Sequence, residues 1–114
     1  MHAYFSLQGR TALVTGGTRG IGRMIAQGFL QAGARVFICA RDAAACAEVA
    51  AELSVYGECI GLAADLSSEE GATALAEQLG AQVQQLDILV NNAGTTWGAP
   101  LESYPVKGWE KVMQ

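Results

Sequence analysis

Seven consecutive residues, Gly16-Gly17-Thr18-Arg19-Gly20-Ile21-Gly22, hold the densest chemistry in the chain. An apolar run, Thr11-Ala12-Leu13-Val14-Thr15, precedes them, and a helical pattern follows. Glycines at such a junction let the backbone turn sharply and approach a bulky anion with no Cβ in the way. The unbonded N–H groups and the positive dipole end of the following helix then face that anion. The chemistry this serves is the binding of a diphosphate. Gly22 would also let the helix lie close to the strand. The spacing is G-x-x-x-G-x-G rather than G-x-G-x-x-G, and an ordinary tight strand-to-helix turn is the alternative.

The nearby charges bear on which dinucleotide would fit. A site for NAD usually carries an acid at the end of the second strand, where it bonds the ribose hydroxyls. Here Ala40 occupies that place and Arg41 follows, while Arg19 lies inside the glycine loop. A guanidinium bonds a 2′-phosphate through two parallel N–H groups, so this pair predicts NADP(H). Asp42 can be read as a late acid or as a helix N-cap, and the cap is the preferred reading.

Apolar spacing supplies the elements that must position these groups. Residues 11–15 and 35–40 read as strands buried on both faces. Ile21, Met24, Ile25 and Phe29 recur at helical spacing and predict one apolar face, with Gly33 as the stop. A second helix follows Asp42, presents Cys46, Val49, Ala50 and Leu53, and ends at Gly57. Residues 59–64 form a weaker third strand, because Gly61 lowers its propensity. Ser67-x-x-Glu70 has the form of a capping box. It opens a helix with Ala72, Leu75, Ala76, Leu79 and Val83 inward, in which Gly80 costs up to about 1 kcal/mol. Residues 86–91 read as the fourth strand. A loop then runs to about Tyr104, and Pro105 starts a helix with Val106, Trp109, Val112 and Met113 on its apolar face. The order βαβαβαβ plus the start of an α predicts an α/β fold: a Rossmann-type, doubly wound parallel sheet, incomplete within this chain. The chain is read as one domain portion over 1–114, without repeats or linkers, and stops inside its last helix.

Composition narrows the function classes. The 114 residues are 51% hydrophobic and 16% charged, which suits a packed core and not disorder. The net charge is −4 and no basic run occurs, so nucleic acid and anionic membranes are excluded as expected partners. Cys39, Cys46 and Cys59 are odd in number and lack C-x-x-C spacing, which argues against a disulfide framework or zinc site. The first residues lack the pattern of a signal peptide, and no apolar stretch reaches the roughly 18 residues of a membrane span. A cytoplasmic location is the expectation. His2, the lone histidine, reads as a solvated residue near a terminus.

The motif Thr15-Gly16-Gly17-Thr18-Arg19-Gly20-Ile21-Gly22 resembles the cofactor loop of the short-chain dehydrogenase/reductase family. Asp65-Leu66 after the third strand and Asn91-Asn92-Ala93-Gly94 after the fourth match two further motifs of that family, in the same order and on the same elements. The likeness covers essentially the whole chain. The segments 1–7, 36–42 and 97–105 narrow it toward a bacterial NADPH-dependent β-ketoacyl reductase. The resemblance implies a cofactor-binding set of Gly16, Thr18, Arg19, Gly20, Ile21, Gly22, Arg41, Asp65, Leu66, Asn92, Ala93 and Gly94. Asp65 would lie near the adenine, although it could also merely start a turn. Asn92 could serve the sheet by satisfying backbone groups of the neighbouring strand.

The family's chemistry is reversible hydride transfer to a carbonyl. A tyrosine serves as acid, a lysine four residues later lowers its pKa, and a serine positions the carbonyl. No Tyr-x-x-x-Lys occurs in this sequence. Tyr104-Pro105-Val106-Lys107 has the lysine three residues on and lies before the fourth helix, so no catalytic residue is assigned. The family's active-site asparagine would fall just past Gln114. Trp97, Tyr104 and Trp109 are read as packing residues rather than substrate contacts. Two functions follow. One is the cofactor-binding front part of an NADPH-dependent reductase, acting on a small carbonyl or an acyl thioester and assembling as a homo-oligomer at full length. The other is a stand-alone dinucleotide-binding module without turnover.

Overall fold

The computed structural model describes residues 6–92. Its elements run β1 (Thr11–Thr15), α1 (Gly20–Gln31), β2 (Arg35–Ala40), α2 (Ala43–Leu53), β3 (Cys59–Ala63), α3 (Glu69–Gly80) and β4 (Ile88–Asn91). The four strands form one sheet in the order β3-β2-β1-β4, and every pairing is parallel. This is the Rossmann-type α/β arrangement expected from the sequence. The first two strands fall where the apolar runs place them. β3 stops one residue early and β4 starts at Ile88, because Asp87 is engaged in joining the strand starts. Its N–H donates to the Thr11 carbonyl at 2.9 Å and its carboxylate accepts from the Thr11 N–H at 2.8 Å.

Alternating side chains on each strand supply two separate cores. Ala12, Val14, Val36 and Ile38 face Ala26 and Leu30 of α1 and Val49, Ala50 and Leu53 of α2. Leu13, Phe37, Cys39 and Leu62 face Ala72, Leu75, Ala76 and Leu79 of α3, with Leu86 alongside. Helices thus cover both faces, which explains why β1 and β2 read as continuous apolar runs. Phe37, Leu13 and Ile38 are fully buried, each contributing about 1.5–3 kcal/mol of transfer free energy.

The inward face of α1 differs from the expected one. Gly22, Ala26 and Leu30 are buried, Ile25 and Phe29 flank them, and Ile21 and Met24 are exposed. The helical period was legible, but its phase was set by large residues. Small side chains at 22 and 26 let the helix lie close to the sheet, and that contact turns Ile21 and Met24 to solvent. Gly33 has φ +104, the left-handed conformation that suits the helix stop.

On α2, Cys46, Val49, Ala50 and Leu53 are buried as expected, and Asp42 is the N-cap, accepting from Ala44 and Ala45 N–H at 2.9 and 3.2 Å. The helix ends at Leu53, with Ser54 as its C-cap, and not at Gly57. Gly61 weakens β3 for a reason visible in the packing: a Cβ there would lie 2.6 Å from the Cys46 carbonyl oxygen. The expected capping box is shifted by one residue. Ser68, not Ser67, caps α3 by accepting from the Gly71 N–H at 3.1 Å, while the Ser67 hydroxyl donates to Asp65 at 2.6 Å. Asp65 has captured Ser67 in a local turn, and the helix starts one position later. Gly80 is the last helical residue, so an interior penalty does not arise, and Val83 packs on the core from beyond the helix end.

All three cysteines are free and buried. Burial pushes the Cys39 thiol up to about 12, with a smaller contribution from Cys46, and burial raises Cys59 to about 11. In the unfolded chain these thiols ionise near about 8.5. The unfolded chain therefore binds fewer protons above that value, and stability falls as pH rises from about 8.5 toward 12. Urea midpoints measured from pH 7.5 to 10.5 should decline, and Cys39→Ala should show the shallower decline. A variant whose midpoints run parallel to the parent's would contradict this assignment.

Candidate functional site

Parallel strands bring their C-terminal ends to one edge of the sheet, and each candidate residue within 6–92 follows such an end. Register pairs Thr15 with Cys39 of β2 and with Asn91 of β4, and Ala40 with Ala63 of β3. The loop after β1, Arg41 after β2, Asp65 after β3 and Asn92 after β4 therefore share one rim. The strand order reverses between β1 and β4. In open α/β sheets that reversal opens the crevice where ligands bind.

The loop is shaped for close approach. Gly16 and Gly20 take φ +66 and +61, in the left-handed region. The Gly16 N–H is held by the Cys39 carbonyl at 2.8 Å. Arg19 occupies the N-cap position of α1 with extended backbone and makes no capping bond. Asp42 and Ser68 fill that position at α2 and α3. The first N–H groups of any helix lack intrahelical acceptors, and at α1 no side chain among the described residues supplies one. A Cβ on Gly22 would overlap the Gly16 carbonyl oxygen and lie 2.7 Å from Asn92 Nδ2. Asn92 Nδ2 itself donates to the Gly16 carbonyl at 3.4 Å. β1, α1 and β4 thus meet around a single peptide group.

Charge is distributed unevenly around this rim. Arg10 pairs with Asp87 at 3.6 Å, Arg23 with Glu52 at 2.9 Å and Arg35 with Glu58 at 2.8 Å. Arg35 also lies over the Phe37 ring. Among the described residues, Arg19 and Arg41 have no ion-pair partner, and both are exposed. Asp65 accepts from the Ser67 hydroxyl and N–H at 2.6 and 3.0 Å. Those bonds, the hydroxyl first, hold its carboxyl below its ordinary value, and the charge of Arg41 acts in the same direction. Asp65 is thus a turn former as well as a rim residue. Asp42 is engaged as a helix cap, as preferred from the sequence.

Other candidates fall in several places. Ile21 is exposed on the first turn of α1, Thr18 is half-buried in the loop, and Leu66 packs its side chain against the α3 core. Ala93, Gly94, Trp97, Tyr104, Pro105, Lys107 and Trp109 lie outside the described residues, as does His2. One residue was missed. Thr15 is fully buried, and its hydroxyl stands 3.3 Å from both the Val90 carbonyl and Asn91 Oδ1. A hydroxyl ending an apolar strand beside an Asn-bearing strand was the available signal. Among the described residues, no group of three His, Cys, Asp or Glu side chains could hold a metal ion. No described helix is long and apolar enough to cross a membrane.

Comparison with known proteins places this geometry. A family model described as short chain dehydrogenase matches residues 10–114. The rhamnolipids biosynthesis 3-oxoacyl-[acyl-carrier-protein] reductase of Pseudomonas aeruginosa is 73% identical over 114 residues, covering 100% of this chain and 44% of that protein. The structure of the Pseudomonas aeruginosa RhlG/NADP active-site complex matches with TM-score 0.80 and 66% identity, over 98% of this chain and 42% of the other. L-Sorbose reductase from Gluconobacter frateurii, complexed with NADPH and L-sorbose, matches with TM-score 0.78 and 30% identity over 91% and 49%. The chain spans less than half the length of these relatives.

The crowding at Gly22 generates a direct test. Gly22→Ala forces the Gly16 peptide and the Asn92 amide to move, an overpacking that costs about 1–3 kcal/mol. Thermal or urea unfolding should show that loss, and Gly28→Ala, with open space around it, should not.

Proposed function

This chain belongs to the short chain dehydrogenase family, and from that premise we propose that it forms the NADP(H)-binding part of a carbonyl reductase whose substrate is a 3-oxoacyl thioester. The observation that carries the cofactor is the pair of arginines, Arg19 and Arg41, outside any ion pair among the described residues, together with a helix N-terminus whose N-cap residue makes no capping bond. Those features fit a dinucleotide bearing an extra phosphate. The N–H groups at the start of α1, with Gly16, Thr18, Gly20, Ile21 and Gly22 shaping the approach, hold the diphosphate. Arg19 and Arg41 clamp the 2′-phosphate by charge and paired N–H donors. Asp65 and the backbone at Leu66 border the adenine, and Asn92, Ala93 and Gly94 border the far side of the crevice.

When bound, the reduced nicotinamide supplies a hydride to the carbonyl carbon. The contribution of this chain is to fix the dinucleotide in register at the switch point and to neutralise its phosphates. A matching proton donor is not among these residues, since no tyrosine here has a lysine four positions later. The substrate class rests on the 73% identity to a 3-oxoacyl-[acyl-carrier-protein] reductase across the whole chain.

Titration of the purified protein with NADPH and NADH, followed by quenching of tryptophan fluorescence, tests the cofactor. Arg41→Ala should weaken NADPH binding by about 1.5–3 kcal/mol, the loss of a hydrogen bond to a charged group, and leave NADH binding nearly unchanged. Equal losses for both would refute the assignment. Oxidation of NADPH by acetoacetyl thioesters, compared with simple ketones, tests the substrate class.

A further inference from the structure

Cys46 is buried, yet among the described residues it belongs to neither of the two apolar cores. It sits in the first turn of α2, where its Sγ lies 3.5 Å from the Ala40 carbonyl and 3.5 Å from the Leu62 carbonyl. Ala40 is the last residue of β2 and Leu62 lies next to the end of β3. The thiol therefore bridges two neighbouring strand ends. Its single proton serves one carbonyl at a time. The Ala40 carbonyl also accepts from the Ala64 N–H at 3.0 Å, so both strands and the helix converge there. The same turn of α2 lies directly on Gly61, where any Cβ would strike the Cys46 backbone.

Arg41 follows Ala40 directly, and Asp65 stands three residues beyond Leu62. On its other side Arg41 is joined to Asp42, whose carboxylate is bonded to the N–H groups of Ala44 and Ala45. The peptide carrying Arg41 is thus held before by the Cys46 thiol and after by the Asp42 cap, both within one helical turn. We propose that Cys46 is a positioning residue for cofactor discrimination: it ties the end of β2 to the end of β3 and so fixes where the Arg41 guanidinium stands relative to Asp65. This rests on the reading of Arg41 as a ligand of the 2′-phosphate. A bond to sulfur is weak and the effect is correspondingly small, but it falls on the cofactor with the extra phosphate and spares the one without.

The test is a set of fluorescence titrations of the purified protein with NADPH and with NADH, using Cys46→Ala, Cys46→Ser, Arg41→Ala and the double variant. Cys46→Ala should raise the NADPH dissociation constant roughly threefold to tenfold, and the NADH constant by less than about twofold. Cys46→Ser, which keeps a donor, should recover part of the preference. In the Arg41→Ala background, Cys46→Ala should have no further effect on NADPH. If Arg41→Ala removes the preference while Cys46→Ala changes both cofactors equally or neither, Cys46 only fills space and the inference falls. If Arg41→Ala leaves the preference intact, the cofactor reading falls and the inference falls with it.

Discussion

The backbone of Gly16 is the point on which the rim depends. Its carbonyl accepts from the Asn92 amide, its N–H is held by Cys39, and the backbone of α1 at Gly22 lies against it. Three neighbouring strand ends and one helix are thereby fixed around one residue, through the peptide groups on either side of it. A single methyl at position 22 would wedge them apart. That closeness carries the first turn of α1 onto the C-terminal end of β1, where N–H groups without a described side-chain cap would face the proposed diphosphate. Small residues at 22 and 26 are thus as much a part of the binding rim as any side chain that would touch a ligand.

Electrostatics then follow from which charges the fold consumes. Arg10, Arg23 and Arg35 join elements through acids from β4's entry, α2 and the turn before β3. Such exposed pairs contribute little stability, but they neutralise those cations locally. Arg19 and Arg41 make no ion pair among the described residues, although the charge of Arg41 reaches Asp65, and both follow strand ends on the rim where the glycine loop turns. In a chain of net charge −4, two guanidinium groups outside any described ion pair give this rim a local positive charge that the overall charge conceals.

Most of the architecture was legible because parallel strands buried on both faces leave unbroken apolar runs. β1 and β2 could be bounded to the residue, and the buried face of α2 was read in full. What failed depended on relations between elements. The phase of α1 was misread because Gly22 carries no hydrophobic signal and Ala26 a weaker one than the large Ile21 and Met24, although the small residues are what lets the helix approach. The start of α3 was misplaced because Ser67 and Ser68 are chemically alike, and only the folded turn at Asp65 decides between them. Thr15 went unnoticed because its partners lie 75 and 76 positions away. The site was legible as a set of strand-end residues. That Arg19 and Arg41 make no ion pair with a described acid, while the other three arginines do, required knowing where the acids lie.

Asp42 shows why that knowledge matters for selectivity. From the sequence it could serve as a ribose-binding acid or as a cap. Its Oδ1 accepts two helix N–H groups, so turning it toward a ribose would leave both unsatisfied, at about 0.5–2 kcal/mol for the lost cap. The carboxylate would also bring negative charge beside Arg41, where the 2′-phosphate is proposed to bind. Held in the cap, its charge is directed at the positive end of α2, and the rim keeps its cationic character. One side chain that starts a helix thus also withdraws the acid from the place where it would favour the cofactor lacking the phosphate.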